Sequence, residues 1–327
     1  MLPAAAASSS RTVAALVAAQ VAAGPARLAV VDAERALTYA ALDARAARLA
    51  NHLRQHGAAR GRVVAVVLPQ SAELVVAALA VLRADATCAP VDPATLPRIG
   101  AMLADARPCA IVTRAGLATR LPRGPWRVVA LDADAAEIDR EPTASPAPQA
   151  GSSDLASLVY ATASPMRPRR VEVTHAELLD IVRWHHGALR VAPADRALLM
   201  SSGGFASARK IWPYLAAGAS LHLPDDVTCM DPEALRDWVV AQDITIAVVA
   251  TSMAERLLAL PWPTAKRLRA LLSGAAVRPA ALAGASFVGG WEPLAEHVEV
   301  IRAPHPEPIL RRGAIRVSGA DTSRSAA

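Results

Sequence analysis

The stretch LTYAALDARAARLANHLRQHGAARGRVVAVVLPQSAELVVAALAVLRADATCAPVDP, Leu37 to Pro93, carries the fold in its spacing. Leu42, Ala46, Leu49 and Leu53 recur at steps of four, three and four, which keeps them on one face of a helix. Thr38 is placed to cap the start of that helix and Gly57 to end it. Val63 to Leu68 then runs without a polar break, as a parallel strand covered on both faces does. Pro69 and Ser71 open a second helix that continues through Leu82, and Thr87 to Val91 reads as the next strand. Strand, helix, strand at this spacing predicts a parallel sheet with right-handed crossovers.

Outward from this stretch the alternation continues, with a helix near Arg98 to Ala106 and strands at Ala110 to Thr113 and Arg127 to Leu131. EPTASPAPQAGSSD, Glu141 to Asp154, has the proline and small polar residues of a linker. Beyond it come a strand at Leu155 to Tyr160 and a helix opened by Thr174, with Glu177 completing a capping box. A strand at Ala197 to Ser201, a helix from Ser207, a strand at Ser220 to Leu223 and a helix from Asp231 with Pro232 in its first turn follow. Further strands are read at Thr245 to Val249 and Ala270 to Ser273. The expected class is α/β, with two successive parallel-sheet subdomains at 15–140 and 155–303 joined by a linker at 141–154. A disordered tail is expected at 1–14 and a remnant strand and tail at 304–327.

Composition narrows the function. With 327 residues, 53% of them hydrophobic, the chain has enough apolar material for a sizeable core. Its longest apolar runs, such as Leu74 to Leu82, are half the ~20 residues that cross a bilayer. No basic region precedes the N-terminal alanines, so a cytoplasmic protein without an export signal is expected. The positive charge is nearly all Arg, Lys210 and Lys266 being the only lysines, and it is scattered along the chain. With only 3% aromatic residues for base stacking, nucleic acid is not the expected partner. Cys88, Cys109 and Cys229 lie in or beside apolar stretches and read as core thiols. His185 and His186 are adjacent, so on a helix their side chains diverge and a shared metal is not expected. The Ser201 to Gly204 turn reads as a plain strand-to-helix connection rather than an anion nest. No GxSxG, HExxH or paired CxxC occurs, so hydrolase and zinc chemistry find no support.

The Leu37 to Pro93 stretch, with "LTY", the "P.S.E" turn at Pro69, Ser71 and Glu73, and "PVDP" at Pro90 to Pro93, resembles the opening of amino-acid adenylation domains. MLADARPCAIVT continues the likeness, which covers roughly Val17 to Ser273. The chain is thus similar to the adenylate-forming enzymes, whose fold acyl-CoA synthetases and luciferases share, with wording nearest the nonribosomal peptide synthetase branch. The resemblance implies two α/β subdomains whose facing edges hold ATP, Mg²⁺ and a carboxylic acid. It implies formation of an acyl adenylate and pyrophosphate, and transfer to a carrier protein or other peptide-synthetase components.

The same resemblance assigns site residues and marks departures. The family's phosphate loop, close to YTSGSTGRPKGV, aligns with YATASPMRPRRV, Tyr160 to Val171. Thr162, Ser164, Arg167 and Arg169 are the nucleotide-binding candidates. Ala163 and Met166 stand where glycines are expected, Pro165 removes a hydroxyl and an N–H, and Arg169 and Arg170 replace Lys and Gly. In GGFASARKIW the position of the family's ammonium-pairing Asp ("FDAS") falls on Phe205, with Ala206 and Arg209 after it. Val248, Leu271 and Ser273 align with other pocket positions. His175, at a helix start, is a further candidate for phosphate or substrate contact. Ala276 occupies the Glu position of "SGGE", and Glu307 in APHPEP is one residue from the metal-binding Glu of "YGPTE". GAIRVSG, Gly313 to Gly319, resembles the later "GELYVSG" strand, so a chain without the ribose-gripping Asp, the hinge and the C-terminal lid with its catalytic Lys is expected. The reading that follows is an adenylation-domain-like ligase relative with impaired catalysis. The alternatives are a non-catalytic scaffold, an active half-enzyme for an acid without an α-amino group that takes its lid from another chain, and a decayed gene product.

Overall fold

The fold is described from a computed structural model, which covers residues 12–161, 169–200, 205–263, 267–273 and 286–289. Helix α1 (Val13–Ala23) leads into strands β1 (Leu28–Val31) and β2 (Ala36–Thr38), helix α2 (Tyr39–Gln55), β3 (Val63–Val67), α3 (Ala72–Arg83) and β4 (Thr87–Val91). A 3₁₀ turn precedes α4 (Ile99–Ala106), β5 (Ala110–Thr113), α5 (Ala115–Ala118), β6 (Arg127–Ala130) and α6 (Ala135–Asp139). The hairpin β7 (Leu155–Ala161) and β8 (Arg169–Thr174) runs into α7 (His175–Leu189), β9 (Arg196–Leu199), α8 (Phe205–Leu215) and β10 (Ser220–His222). Then follow α9 (Asp226–Met230), α10 (Pro232–Ala241), β11 (Ile246–Val248), α11 (Thr251–Ala259), β12 (Ala270–Ser273) and β13 (Ser286–Gly289).

The predicted caps explain where the helices begin. Thr38 accepts a hydrogen bond from the Ala41 N–H (3.2 Å) and Ser71 one from the Leu74 N–H (3.3 Å), each filling an orphan donor of a first turn. The Thr174–Glu177 capping box is formed in both directions. Past α2, Gly57 takes φ +87°, which a side chain would strain. The stripe Leu42, Ala46, Leu49 and Leu53 is fully buried and packs α2 against α3, so each Leu contributes roughly 1.5–3 kcal/mol by leaving water.

Two sheets form the framework: six strands ordered β6-β5-β3-β4-β7-β8 and seven ordered β13-β12-β11-β9-β10-β1-β2. Most pairings are parallel, as the alternation predicts, while β2 and β8 run antiparallel at the sheet margins.

The division between the sheets does not follow the 141–154 stretch. Strand β7, which follows that stretch, pairs in parallel with β4 (Cys88 beside Ser157) and carries β8 into the first sheet. Strand β1, near the start of the chain, pairs in parallel with β10 (Val30 beside Leu221) and carries β2 into the second. Both margins are locked by buried side chains. The Tyr39 hydroxyl donates to the Ala219 carbonyl (2.8 Å), and Thr87 donates to Leu155 O (3.0 Å). The proline-rich stretch itself is strapped along α2: Asn51 donates to the carbonyls of Pro142 and Ala144, and Asp85 accepts from the N–H groups of Gln149 and Ala150.

Candidate functional site

In open parallel sheets ligands gather outside the carboxyl ends of strands, where the strand order reverses direction. In the seven-stranded sheet the chain leaves β9 for β10 on one side and returns to β11 on the other, so the reversal lies between β9 and β11. Helix α8 starts there, shortly after β9, and residues 201–204 between them lie outside the described residues. In the six-stranded sheet the chain leaves β3 for β4 and returns to β5, so its reversal lies between β3 and β5.

The two carboxyl edges meet at a polar seam. The Gln70 amide, after β3, donates to the Leu199 carbonyl at the end of β9. Asp32, after β1, accepts from the Ala72 N–H (2.8 Å) at the start of α3. Glu73 receives a two-pronged contact from Arg114 (2.8 and 2.9 Å) and a third from Arg35 (3.3 Å), joining the ends of β3 and β5 to the β1–β2 turn. The "P.S.E" phrase is thereby explained: Ser71 caps α3, and Glu73 ties the sheets together. A cleft of about 210 Å³ lies on this seam, between the β1–β2 turn, the β3–α3 turn, Arg114 and the β10–α9 turn.

The residues assigned from sequence fall into three groups. Thr162, Ser164 and Arg167 lie outside the described residues, as do Glu307 and 313–319. The 162–168 segment joins β7 to β8, whose nearest described residues Ala161 and Arg169 pair at the carboxyl end of β7. The positions assigned to the acid form the second group, on α8 and on neighbouring strands of the other sheet. Phe205, Ala206 and Arg209 occupy the first turns of α8 after β9. Val248, buried, stands beside Leu199 of β9 and Leu272 of β12, between Leu271 and Ser273 in register. Lys210, also in α8, is buried.

His175 stands apart. It is six residues along from Arg169, at the far end of the hairpin and about 20 Å from the loop at ~3.3 Å per residue. It is 1% exposed, and burial holds its imidazole below the ordinary histidine range, so it is a neutral core group. His185 and His186 likewise serve structure, bonding the carbonyls of Ile181 (2.9 Å) and Pro213 (2.7 Å).

Sequence reasoning did not anticipate the groups at the base of the loop. Tyr160, the last residue but one of β7, donates to Asp105 (2.6 Å), and burial with that carboxylate keeps its phenol protonated. Arg170, at the family's glycine position, is held by Glu172 and by Asp105 (3.7 Å). The Arg170 guanidinium is therefore paired with two carboxylates of this chain. Among the described residues no three His, Cys, Asp or Glu side chains converge to hold a metal, and no helix is long and apolar enough to cross a membrane.

Comparison with known proteins agrees with this architecture. The AMP-binding enzyme family profile matches residues 17–292. A linear gramicidin synthase of Brevibacillus parabrevis is 40% identical over 252 residues, 76% of this chain, and novobiocin biosynthesis protein H of Streptomyces niveus is 36% identical over 244 residues, 69% of it. The chain spans 5% of the first relative and 40% of the second. Among solved structures, the AMPPNP-bound form of the nonribosomal peptide synthetase FmoA3 superposes with a TM-score of 0.77 at 26% identity, covering 86% of this chain and 31% of that one. Two facing α/β sheets, carboxyl-edge loops where the family keeps its site and relatives among peptide synthetases agree: this chain belongs to the AMP-binding enzyme family.

Proposed function

We propose that this chain is an adenylation-type core related to ATP-dependent carboxylate activation in nonribosomal peptide synthesis, and that its own adenylate formation is impaired. The observation that carries the impairment is the state of Arg170. A residue standing at a family glycine borders the phosphate-loop segment and pairs with Glu172 and Asp105. The loop's own wording supports it, since Ala163, Pro165 and Met166 remove the conformational freedom and one of the N–H donors on which phosphate wrapping depends. ATP with Mg²⁺ is the nucleotide this reading assigns to the crevice, and a carrier protein or neighbouring synthetase component is its partner. The synthetase relatives support that partnership.

Phe205 favours a second reading. With no carboxylate at this position to pair a buried ammonium, at a cost of several kcal/mol, the pocket disfavours ordinary α-amino acids and suits an acid without that group. ATP–pyrophosphate exchange separates the readings. The first expects no exchange above a protein-free control with any acid, and the second expects exchange with acids lacking an α-amino group, alone or with an added lid domain. Exchange with a proteinogenic amino acid, using the purified chain alone, contradicts both.

A further inference from the structure

Among the described residues, none of those assigned to nucleotide or acid lines the seam cleft, and its charge is opposite to that of the chain as a whole. The chain carries a net charge of +6. The cleft wall, by contrast, holds five carboxylates, Asp32, Glu34, Glu73, Asp225 and Asp226, against the guanidiniums of Arg35 and Arg114. Asp32 is occupied by the N–H groups of Glu34, Arg35 and Ala72, and Glu73 by the two arginines. What remains open is acceptor capacity. Glu34 is 66% exposed and pairs with arginine edges, Asp225 and Asp226 stand exposed on the rim, and the buried Oε1 of Gln70 has no hydrogen-bond partner among the described residues. The Gln70 amide nitrogen is turned to Leu199 and both guanidiniums lean on Glu73, so five carboxylates face two guanidiniums and the wall keeps a net negative charge. A wall with surplus acceptors and net negative charge recognises a cationic donor.

The rim indicates what carries that cation. Helix α9 turns Val227 (80% exposed) and Met230 (76%) to solvent three residues apart, on one side of the helix. They are two of the three large exposed hydrophobics among the described residues. A free small cation gains nothing from such a pair, whereas a basic side chain flanked by apolar residues meets both surfaces at once. We propose that the seam cleft and α9 dock a short basic segment of a partner polypeptide, which inserts an Arg or Lys between the sheets and lays an apolar neighbour on Val227 and Met230.

The test uses fluorescein-labelled peptides and anisotropy with the full chain. The probe alternates Arg and Leu over ten residues; one control replaces Arg by Glu and another replaces Leu by Ser. Two variants dissect the site: Asp225→Asn with Asp226→Asn, in which Asn keeps the cap of α9, and Val227→Ser with Met230→Ser. Both alter exposed side chains, and unchanged thermal melts verify their folding. The proposal expects the Arg–Leu probe to bind wild type and to weaken by about three- to tenfold in each double variant, in keeping with exposed charge pairs and surface apolar contacts. Binding of the Glu control, or equal binding of the Arg–Leu probe by wild type and variants, overturns it. So does no binding at millimolar peptide. Competition by free spermidine with no dependence on Val227 and Met230 identifies a small-cation site instead. Self-association abolished by the variants identifies a second copy as the occupant, and either result overturns the proposal.

Discussion

Replacing Asp195 with Asn tests how the seven-stranded sheet holds β9, β11 and β12 in place. The carboxylate is 6% exposed, just ahead of β9. It accepts from Arg269 Nε (3.0 Å) and Nη2 (2.6 Å), from Thr245 Oγ1 (2.7 Å) and from the Ala192 N–H (2.8 Å). Arg269 also donates to the Leu189 carbonyl at the end of α7 (2.6 Å), so a single carboxylate ties together the entries to β9, β11 and β12 and a helix terminus. Asparagine keeps the shape but turns an NH₂ toward a ring of donors. Breaking a buried pair costs about 3–5 kcal/mol. Arg269 is 38% exposed and regains water, so the discounted loss is about 2–3 kcal/mol.

Urea unfolding followed by tryptophan emission reads this as a midpoint lowered by about 1 M. The pH dependence has a definite sign. Burial alone raises the Asp195 carboxyl, but the bonds from Arg269, Ala192 and Thr245 outweigh it and hold the carboxyl below its ordinary range. A depressed carboxylate contributes fully above its unfolded pKa near 3.9 and loses that contribution as pH falls through its folded value. The gap between wild type and variant is therefore constant from pH 5 to 8 and closes below about pH 4. A variant as stable as wild type at neutral pH, or a gap that persists in acid, refutes the reasoning.

Three further outcomes rest on similar physical grounds. Glu73→Gln removes the charge that joins Arg114 and Arg35, and loses about 1–2 kcal/mol in a thermal or urea melt, since those arginines are only partly exposed. Thr174→Ala deletes the cap of α7 and costs about 1 kcal/mol by the same melt, while Thr174→Ser retains most of it. Burial raises the Cys88 thiol to about 12, and burial aided by Asp226 and Asp225 raises Cys229 to about 11, while Cys109 is buried. A thiol reagent at pH 8 therefore finds no fast-reacting cysteine in the native chain and three after unfolding.

The elements were legible where a local rule suffices. The period of Leu42, Ala46, Leu49 and Leu53, the unbroken Val63 to Leu68 run and the caps at Thr38, Ser71 and Thr174 are each written within a few residues. Strand partnership was not. β1 joins β10 across nearly two hundred residues, and β7 joins β4 at a single register pair, and no local pattern announces either. Helix α1 escaped notice because VAALVAAQVAA is apolar on every side and carries no period. The strands that carry Val248, Leu271 and Ser273 were legible as strands, and their adjacency required the sheet order. Glu73 was legible as part of the "P.S.E" phrase, but its pairing with Arg35 and Arg114 needs the fold, and Arg170 reads as a loop cation until Glu172 and Asp105 are seen to hold it. His175 sits at a helix start, as phosphate contacts often do, but strand length carries it away from the loop.

The most direct trial of an impaired adenylation core is a single-turnover search by mass spectrometry for acyl-AMP, after the purified chain is mixed with MgATP and the proteinogenic amino acids. The account predicts no aminoacyl-AMP beyond the protein-free control. Aminoacyl-AMP formed in amounts comparable to the protein contradicts it.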